Sequence, residues 1–223
     1  MESNFQQRKN TFSQNEFLLQ GSILDESCDA LLQKLRGFCD NSDMPPPKFK
    51  DHEMVFAIKL PNGPSSMLRV RRSMDCPTNP WNLRYLGHND TDRNRATLSR
   101  TCIDCNTTSN VTQFLAEMGF KLEFEFILRG WMFRKGRMKI LVFKIFRING
   151  GSGVMATTTN NSTPNAMAIE EMNLEQITNS HLVELSVIAP SYQTAITDEM
   201  KQFAEFLKPL VSLENIDMRK INQ

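Results

Sequence analysis

Met118-Gly-Phe-Lys-Leu-Glu-Phe-Glu-Phe-Ile-Leu-Arg-Gly-Trp-Met-Phe-Arg-Lys-Gly-Arg-Met-Lys-Ile-Leu-Val-Phe-Lys-Ile-Phe-Arg-Ile148 is the stretch on which the fold turns. Two runs rich in aromatic and β-branched residues flank Arg134-Lys135-Gly136-Arg137. Such side chains pack well on a pleated surface and favour extended chain. Gly136 can supply the positive φ of a tight turn, and Lys135-Gly136 suits a two-residue loop. The pattern predicts two antiparallel strands of about ten residues or more, well beyond the usual five or six. Strands of that length need many neighbours, which makes this hairpin the central pair of a large, strongly curved sheet.

Composition limits what such a sheet can do. The chain has 223 residues, 40% of them hydrophobic and 23% charged, and 26 basic residues offset 25 acidic ones to a net charge of +1. A chain this close to neutral is no general polyelectrolyte binder, so attraction to nucleic acid would need a local patch. No window reaches the roughly eighteen apolar residues of a membrane span. Residues 1–14 lack the apolar centre of a signal peptide. An odd count of five cysteines fits reduced thiols better than a disulfide framework.

Outward from the hairpin, periodicity sets the remaining elements. Residues 1–15 read as a disordered arm and 218–223 as a tail, around a single barrel domain over 16–217. Glu16 to Leu24 reads as a strand. Asp25 is placed to cap a helix whose buried face carries Leu31, Leu32, Leu35 and Phe38. Strands follow over 52–60, 66–74, 81–87 and 95–105, with Arg69 and Arg71 on the face opposite Leu68 and Val70. A second helix buries Val111, Phe114, Leu115 and Met118 and stops at Gly119. Residues 149–179, opening Asn-Gly-Gly-Ser-Gly, have no periodicity and read as a disordered insertion. A strand over 181–190 precedes a last helix, capped by Thr197, with Met200, Phe203, Ala204 and Leu207 as its apolar stripe. About eight strands, mostly joined strand to strand, and about three helices make an α+β fold dominated by an antiparallel β-barrel.

Catalytic motifs are sparse. Cys102 and Cys105 lack the further ligands of a zinc site, and on a strand they point to opposite faces. His52, His88 and His181 form no metal-binding spacing, and phosphate-binding glycine loops are absent from the sequence. Glu123 and Glu125 share a strand face and could hold a divalent cation inside a barrel, as in a tunnel-type metal-dependent triphosphate hydrolase. Lys144 is a candidate inward charge. The first strand, however, reads Glu16-Phe-Leu-Leu-Gln20, without the Glu-x-Glu-x-Lys of such enzymes. The basic residues Arg69, Arg71, Arg72, Arg129, Arg134, Lys135, Arg137 and Lys139 fit a solvated surface first, a protein-binding surface second and a nucleic-acid surface third. No cofactor or metal is expected.

Longer blocks carry a resemblance. Glu-Phe-Leu-Leu-Gln-Gly-Ser-Ile-Leu-Asp at 16–25, Leu-Arg-Gly-Phe-Cys-Asp-Asn at 35–41 and Asp-His-Glu-Met-Val-Phe at 51–56 resemble the Mediator subunit 18 family. So do Arg-Arg-Ser-Met-Asp at 71–75, Phe-Arg-Lys-Gly-x-Met-Lys-Ile at 133–140 and Leu-Val-Glu-Leu-Ser-Val-x-Ala-Pro at 182–190. The resemblance is to animal-type members and covers nearly all of 16–217 apart from 149–179. It implies a barrel similar in shape to the triphosphate-tunnel enzymes but with no family catalytic residues. It also implies a nuclear, non-enzymatic coactivator subunit of the Mediator head module, bridging transcription regulators and RNA polymerase II. The expected partners are Mediator subunit 20, as a heterodimer, the C-terminal helix of Mediator subunit 8, and other head subunits. Contacts are expected at the hairpin end, through Trp131, Phe133, Arg134 and Lys135.

Overall fold

The computed structural model describes residues 14–40, 43–59, 65–89, 96–149, 173–190 and 194–216. Among the described residues, nine strands and three helices follow in the order β1 (Gln14–Leu24), α1 (Asp25–Phe38), β2 (Lys48–Ile58), β3 (Ser66–Ser73), β4 (Trp81–Asn89), β5 (Leu98–Thr107), α2 (Val111–Glu117), β6 (Lys121–Lys135), β7 (Met138–Asn149), β8 (Asn173–Gln176), β9 (Ser180–Ala189) and α3 (Thr194–Leu207). The sheet runs β6-β2-β3-β4-β5-β1-β9-β7, and pairing of β7 with β6 closes it into an eight-stranded antiparallel barrel. β7 changes neighbour along its length: Lys139–Phe143 pairs with β9, and Phe146–Asn149 with β8. No helix among the described residues is long and apolar enough to cross a membrane.

The long hairpin is β6 and β7, joined in register from Phe126↔Arg147 to Lys135↔Met138. Its loop is Gly136-Arg137, one residue later than the expected Lys135-Gly136. Gly136 takes φ 55°, which a β-carbon would penalise, and its N–H donates to Asp40 Oδ2 at 2.8 Å.

The largest apolar core lies outside the barrel. Phe17, Leu19, Val183, Leu185, Val187, Ile140 and Val142, from the outer faces of β1, β9 and β7, pack beneath two helices. Above them α1 presents Cys28, Leu31 and Leu35, and α3 presents Ile196, Met200, Phe203, Ala204 and Leu207. The smaller α2 covers the outer faces of β2 and β3 with Val111 and Leu115 on Met54, Phe56 and Val70. Inside, Leu128, Leu141 and Phe143 fill only part of the barrel, with Phe49 and Phe126 against them.

Several local expectations need correction. Asp25 is the first helical residue, and Leu24, without a side-chain cap, precedes it. The Asp25 carboxylate instead meets Lys144 and His181. Phe38, Phe114 and Met118 are exposed, because each helix turns only a narrow stripe to the curved barrel wall; Phe38 stacks on Phe206 with ring centroids 6.0 Å apart. Thr197 lies inside the first turns of α3, donating its hydroxyl to the Thr194 carbonyl. Residues 173–176 form β8, within the segment read as disordered. There Leu174 packs with Ile127 and Met74, one apolar contact too few to create a periodic signal. Residues 150–172 of that insertion lie outside the described residues, as do nearly all of the arm and all of the tail.

Gly130 is where the barrel tolerates no side chain. It pairs with Phe49 on one side and Phe143 on the other. A β-carbon there would sit 2.1 Å from the Val142 carbonyl oxygen and 2.6 Å from Phe143 Cα. Gly130→Ala is expected to lose about 1–3 kcal/mol of stability through overpacking, read as a lower urea midpoint; an unchanged midpoint would show that β6 and β7 can separate without cost.

Candidate functional site

The barrel lumen is densely charged. Strand alternation turns every second residue inward, and Glu16, Asp51, Glu53, Arg69, Arg71, Asn82, Arg84, Leu86, Arg100, Lys139 and Glu184 line one cavity of about 310 Å³. These residues come from seven of the eight barrel strands, which makes the cavity the lumen itself. Along the inner face of β7, Lys139 gives way to Leu141 and Phe143, so charge occupies one end of the barrel and apolar packing the other.

Ion pairs organise the charged end. Register places Arg71 opposite Glu53 across β2 and β3. Glu53, only 1% exposed, accepts from Arg69 Nη1 at 2.6 Å and from Arg71 Nε at 2.9 Å, with Arg71 Nη2 donating as well. Glu16 is similarly held: Arg100 Nε donates at 2.7 Å and Arg84 Nη1 at 3.2 Å. Arg84 also makes a two-pronged contact with Asp104, at 2.7 and 2.8 Å. Gln20 Nε2 donates to Glu184 at 3.0 Å.

Protonation equilibria follow from this wiring. Burial alone would raise the Glu53 pKa, but the charges and hydrogen bonds of Arg71 and Arg69 hold it below the ordinary value. Asp51 goes the other way: burial raises it, and Arg71 and Lys139 counter only part of that. Burial lowers Lys139, and the neighbouring Arg71 and Arg84 lower it further. Burial would depress Arg84, yet Asp104 and Glu16 raise it. Five basic and four acidic side chains line the cavity, and Asp104 beside Arg84 supplies a fifth carboxylate. The lumen neutralises itself.

Glu123 and Glu125 are not part of it. Glu125 faces outward and meets His52 Nε2 at 2.9 Å, and Glu123 is exposed. Arg72 Nε donates to His52 Nδ1 at 3.2 Å, which leaves the His52 proton on Nε2 for Glu125. The guanidinium of Arg72 in turn lies over the Trp81 ring at 5.1 Å. The triphosphate-hydrolase alternative built on Glu123 and Glu125 therefore fails on geometry. Lys144 also points out, to Asp25, and the inward charge of β7 is Lys139. Arg69 and Arg71, assigned to a solvated surface, face the lumen. The signal that could have located the site was the alternation Asp51-x-Glu53 beside Arg69-x-Arg71, two complementary pairs on neighbouring strands. Cys102 is buried, its thiol pushed up to about 11 by that burial, and Cys105 is exposed. Among the described residues, no group of three or more His, Cys, Asp or Glu could hold a metal ion.

The hairpin residues separate. Phe133 is 6% exposed within the outer core and is no surface anchor, because its side of β6 lies under the helices. Trp131 is half-buried with its ring 5.8 Å from His181. Arg134 and Lys135 are exposed. Arg134 borders a groove of about 250 Å³ with Met132, Met44 and the Pro45-Pro46-Pro47 run.

With this geometry in place, comparison with known proteins becomes informative. The family model described as Med18 protein matches residues 15–223. A Mediator of RNA polymerase II transcription subunit 18 from Aedes aegypti is 45% identical over 217 residues, covering 96% of this chain and 90% of that one. A chain of the Schizosaccharomyces pombe Mediator head module shares the fold with TM-score 0.65 at 16% identity, covering 91% of this chain and 98% of its own length. A putative adenylyl cyclase from Hippeastrum with a dominant triphosphatase activity shares it with TM-score 0.52 at 11% identity, covering 92% and 94%. At such identities the two structures show likeness of fold alone.

The lumen's wiring makes two substitutions diverge. A folded pKa below the ordinary 4.5 means that Glu53 stabilises the fold fully above that value, and the contribution fades as pH falls through the folded pKa. Glu53→Gln should cost roughly 1–3 kcal/mol at neutral pH, with the gap to wild type closing in acid. Asp51, raised above 3.8, behaves oppositely: its contribution is complete below that value and is lost as pH rises through the folded pKa. Asp51→Asn should leave neutral-pH stability unchanged or higher. Urea midpoints at neutral and acid pH check both, and equal losses at neutral pH would contradict the wiring.

Proposed function

This chain belongs to the Med18 protein family, and from that premise we propose that it is a non-catalytic subunit of the Mediator head module. In this reading it acts in the nucleus as a protein scaffold that carries contacts between transcription regulators and RNA polymerase II. The observation that supports the non-catalytic reading is the state of the lumen carboxylates. Glu16 and Glu53 each face two arginines, and Arg84 is shared further with Asp104. A catalytic tunnel needs carboxylates open to a metal and cations open to phosphate. Here Glu16, Glu53 and Asp104 are already occupied by arginines of the protein itself.

A scaffold works instead through its outer surface. α1 and α3 leave Phe38 and Phe206 stacked and exposed, and Met44 is 68% exposed beside the proline run. Exposed apolar groups with a polar rim are the composition of a protein-binding face. We place the contact with Mediator subunit 20 at the hairpin end, through Trp131, Arg134 and Lys135, and leave Phe133 to the core. The helices α1 and α3 offer apolar surface that suits a partner helix, such as the C-terminal helix of subunit 8.

Co-expression with subunit 20, followed by size-exclusion chromatography with light scattering, tests the assembly reading. A stable one-to-one heterodimer is expected, and a folded monomer with no affinity would overturn it. Trp131→Ala should weaken that pair by more than roughly 1 kcal/mol, measured by titration calorimetry; unchanged affinity would remove Trp131 from the interface.

A further inference from the structure

We propose that the barrel lumen holds a small zwitterion, an amino acid with its two charges held apart by methylenes, its carboxylate on Lys139 and its ammonium on Asp51. Occupancy of the lumen is independent of the scaffold reading. Two lumen charges are left over by the ion-pair wiring. Glu16, Glu53 and Asp104 each accept from at least one arginine, and Glu184 accepts from Gln20. Asp51 and Lys139 line the same cavity of about 310 Å³ and are both half-buried. Among the described residues neither makes a side-chain hydrogen bond or ion pair, and each feels its charged neighbours only through space.

Topology keeps the two from answering each other. Asp51 projects from β2 and Lys139 from β7, and β6 lies between those strands. Two strand spacings separate their backbones, roughly 10 Å. The charges that attract each group are engaged elsewhere. Arg71, beside Asp51, donates to Glu53. Glu184 and Glu16, beside Lys139, are held by Gln20 and by Arg84 and Arg100. Burial moves Asp51 upward and Lys139 downward, each toward its uncharged form. A half-buried charge without a contact partner is costly. A ligand that brings the opposite charge to each group offsets that cost through charge-assisted hydrogen bonds.

Charge balance and size select the ligand. The lumen neutralises itself, so a polyanion or a divalent cation would leave one sign unanswered, whereas a zwitterion preserves the balance. A volume of about 310 Å³ lies at the small end of ligand pockets. An α-amino acid carries its charges on adjacent groups, too close together for partners on strands that β6 separates. A short methylene chain spans that interval, and Leu86 gives it an apolar surface within the lining.

Titration calorimetry of the full-length chain with γ-aminobutyrate and with 6-aminohexanoate tests the proposal. Saturable one-site binding of at least one of them is expected. Butyrate, which lacks the ammonium, and butylamine, which lacks the carboxylate, should each bind at least about tenfold more weakly. Asp51→Asn and Lys139→Gln should each weaken the zwitterion by a similar factor. Asp51→Asn is expected to keep its neutral-pH stability, so its loss of binding is not a loss of fold. Lys201→Gln, at an exposed position of α3, should leave binding unchanged. No saturable binding of either amino acid, equal affinity for butyrate, displacement by equimolar inorganic phosphate, or unchanged affinity in Asp51→Asn would overturn the proposal.

Discussion

Two carboxylates, Glu16 and Glu53, hold four arginines inside the barrel, and the rest of the architecture follows from that arrangement. A lumen full of ion pairs cannot serve as the hydrophobic core, since buried carboxylates such as Glu16 and Glu53 need complementary charges rather than methyl groups around them. Burial of apolar surface, the main favourable contribution to folding, is therefore displaced to the outer wall. Phe17, Leu185, Ile140 and their neighbours then require a cover, and the stripes of α1 and α3 provide it. The same displacement leaves the opposite helix faces, with Phe38 and Phe206, at the surface.

This inversion explains which parts of the fold were legible in the sequence. The β6–β7 hairpin, the three helices and the barrel class follow from periodicity and turn chemistry, which are local. The split of Arg69 and Arg71 from Leu68 and Val70 was also legible, as two faces of one strand. Which face turned inward was not. A polar face usually meets water, and only closure of the barrel, with helices packed outside it, reverses that rule. Glu123 and Glu125 illustrate the converse: an i, i+2 pair marks a shared face without saying which side of the wall it occupies. Pairing decides it for Glu125: its partner is Met54, which packs under α2 on the outer wall. Lys144 and Lys139 were exchanged for the same reason, five residues apart on opposite faces of β7.

The fold is shared with a triphosphatase, and the lumen carries many of the residue types that a triphosphate site would use. Fold alone does not assign function. Inward arginines that already donate to Glu16, Glu53 and Asp104 would have to release those partners before receiving a polyphosphate.

Titration calorimetry of the folded chain with inorganic triphosphate, in the presence of magnesium or manganese, bears most directly on the claim that the lumen is a self-neutralised interior. The account predicts no saturable heat attributable to the lumen. Saturable one-site binding that disappears in Arg71→Gln, while the fold persists by circular dichroism, would contradict it and return the barrel to the class of triphosphate-binding tunnels.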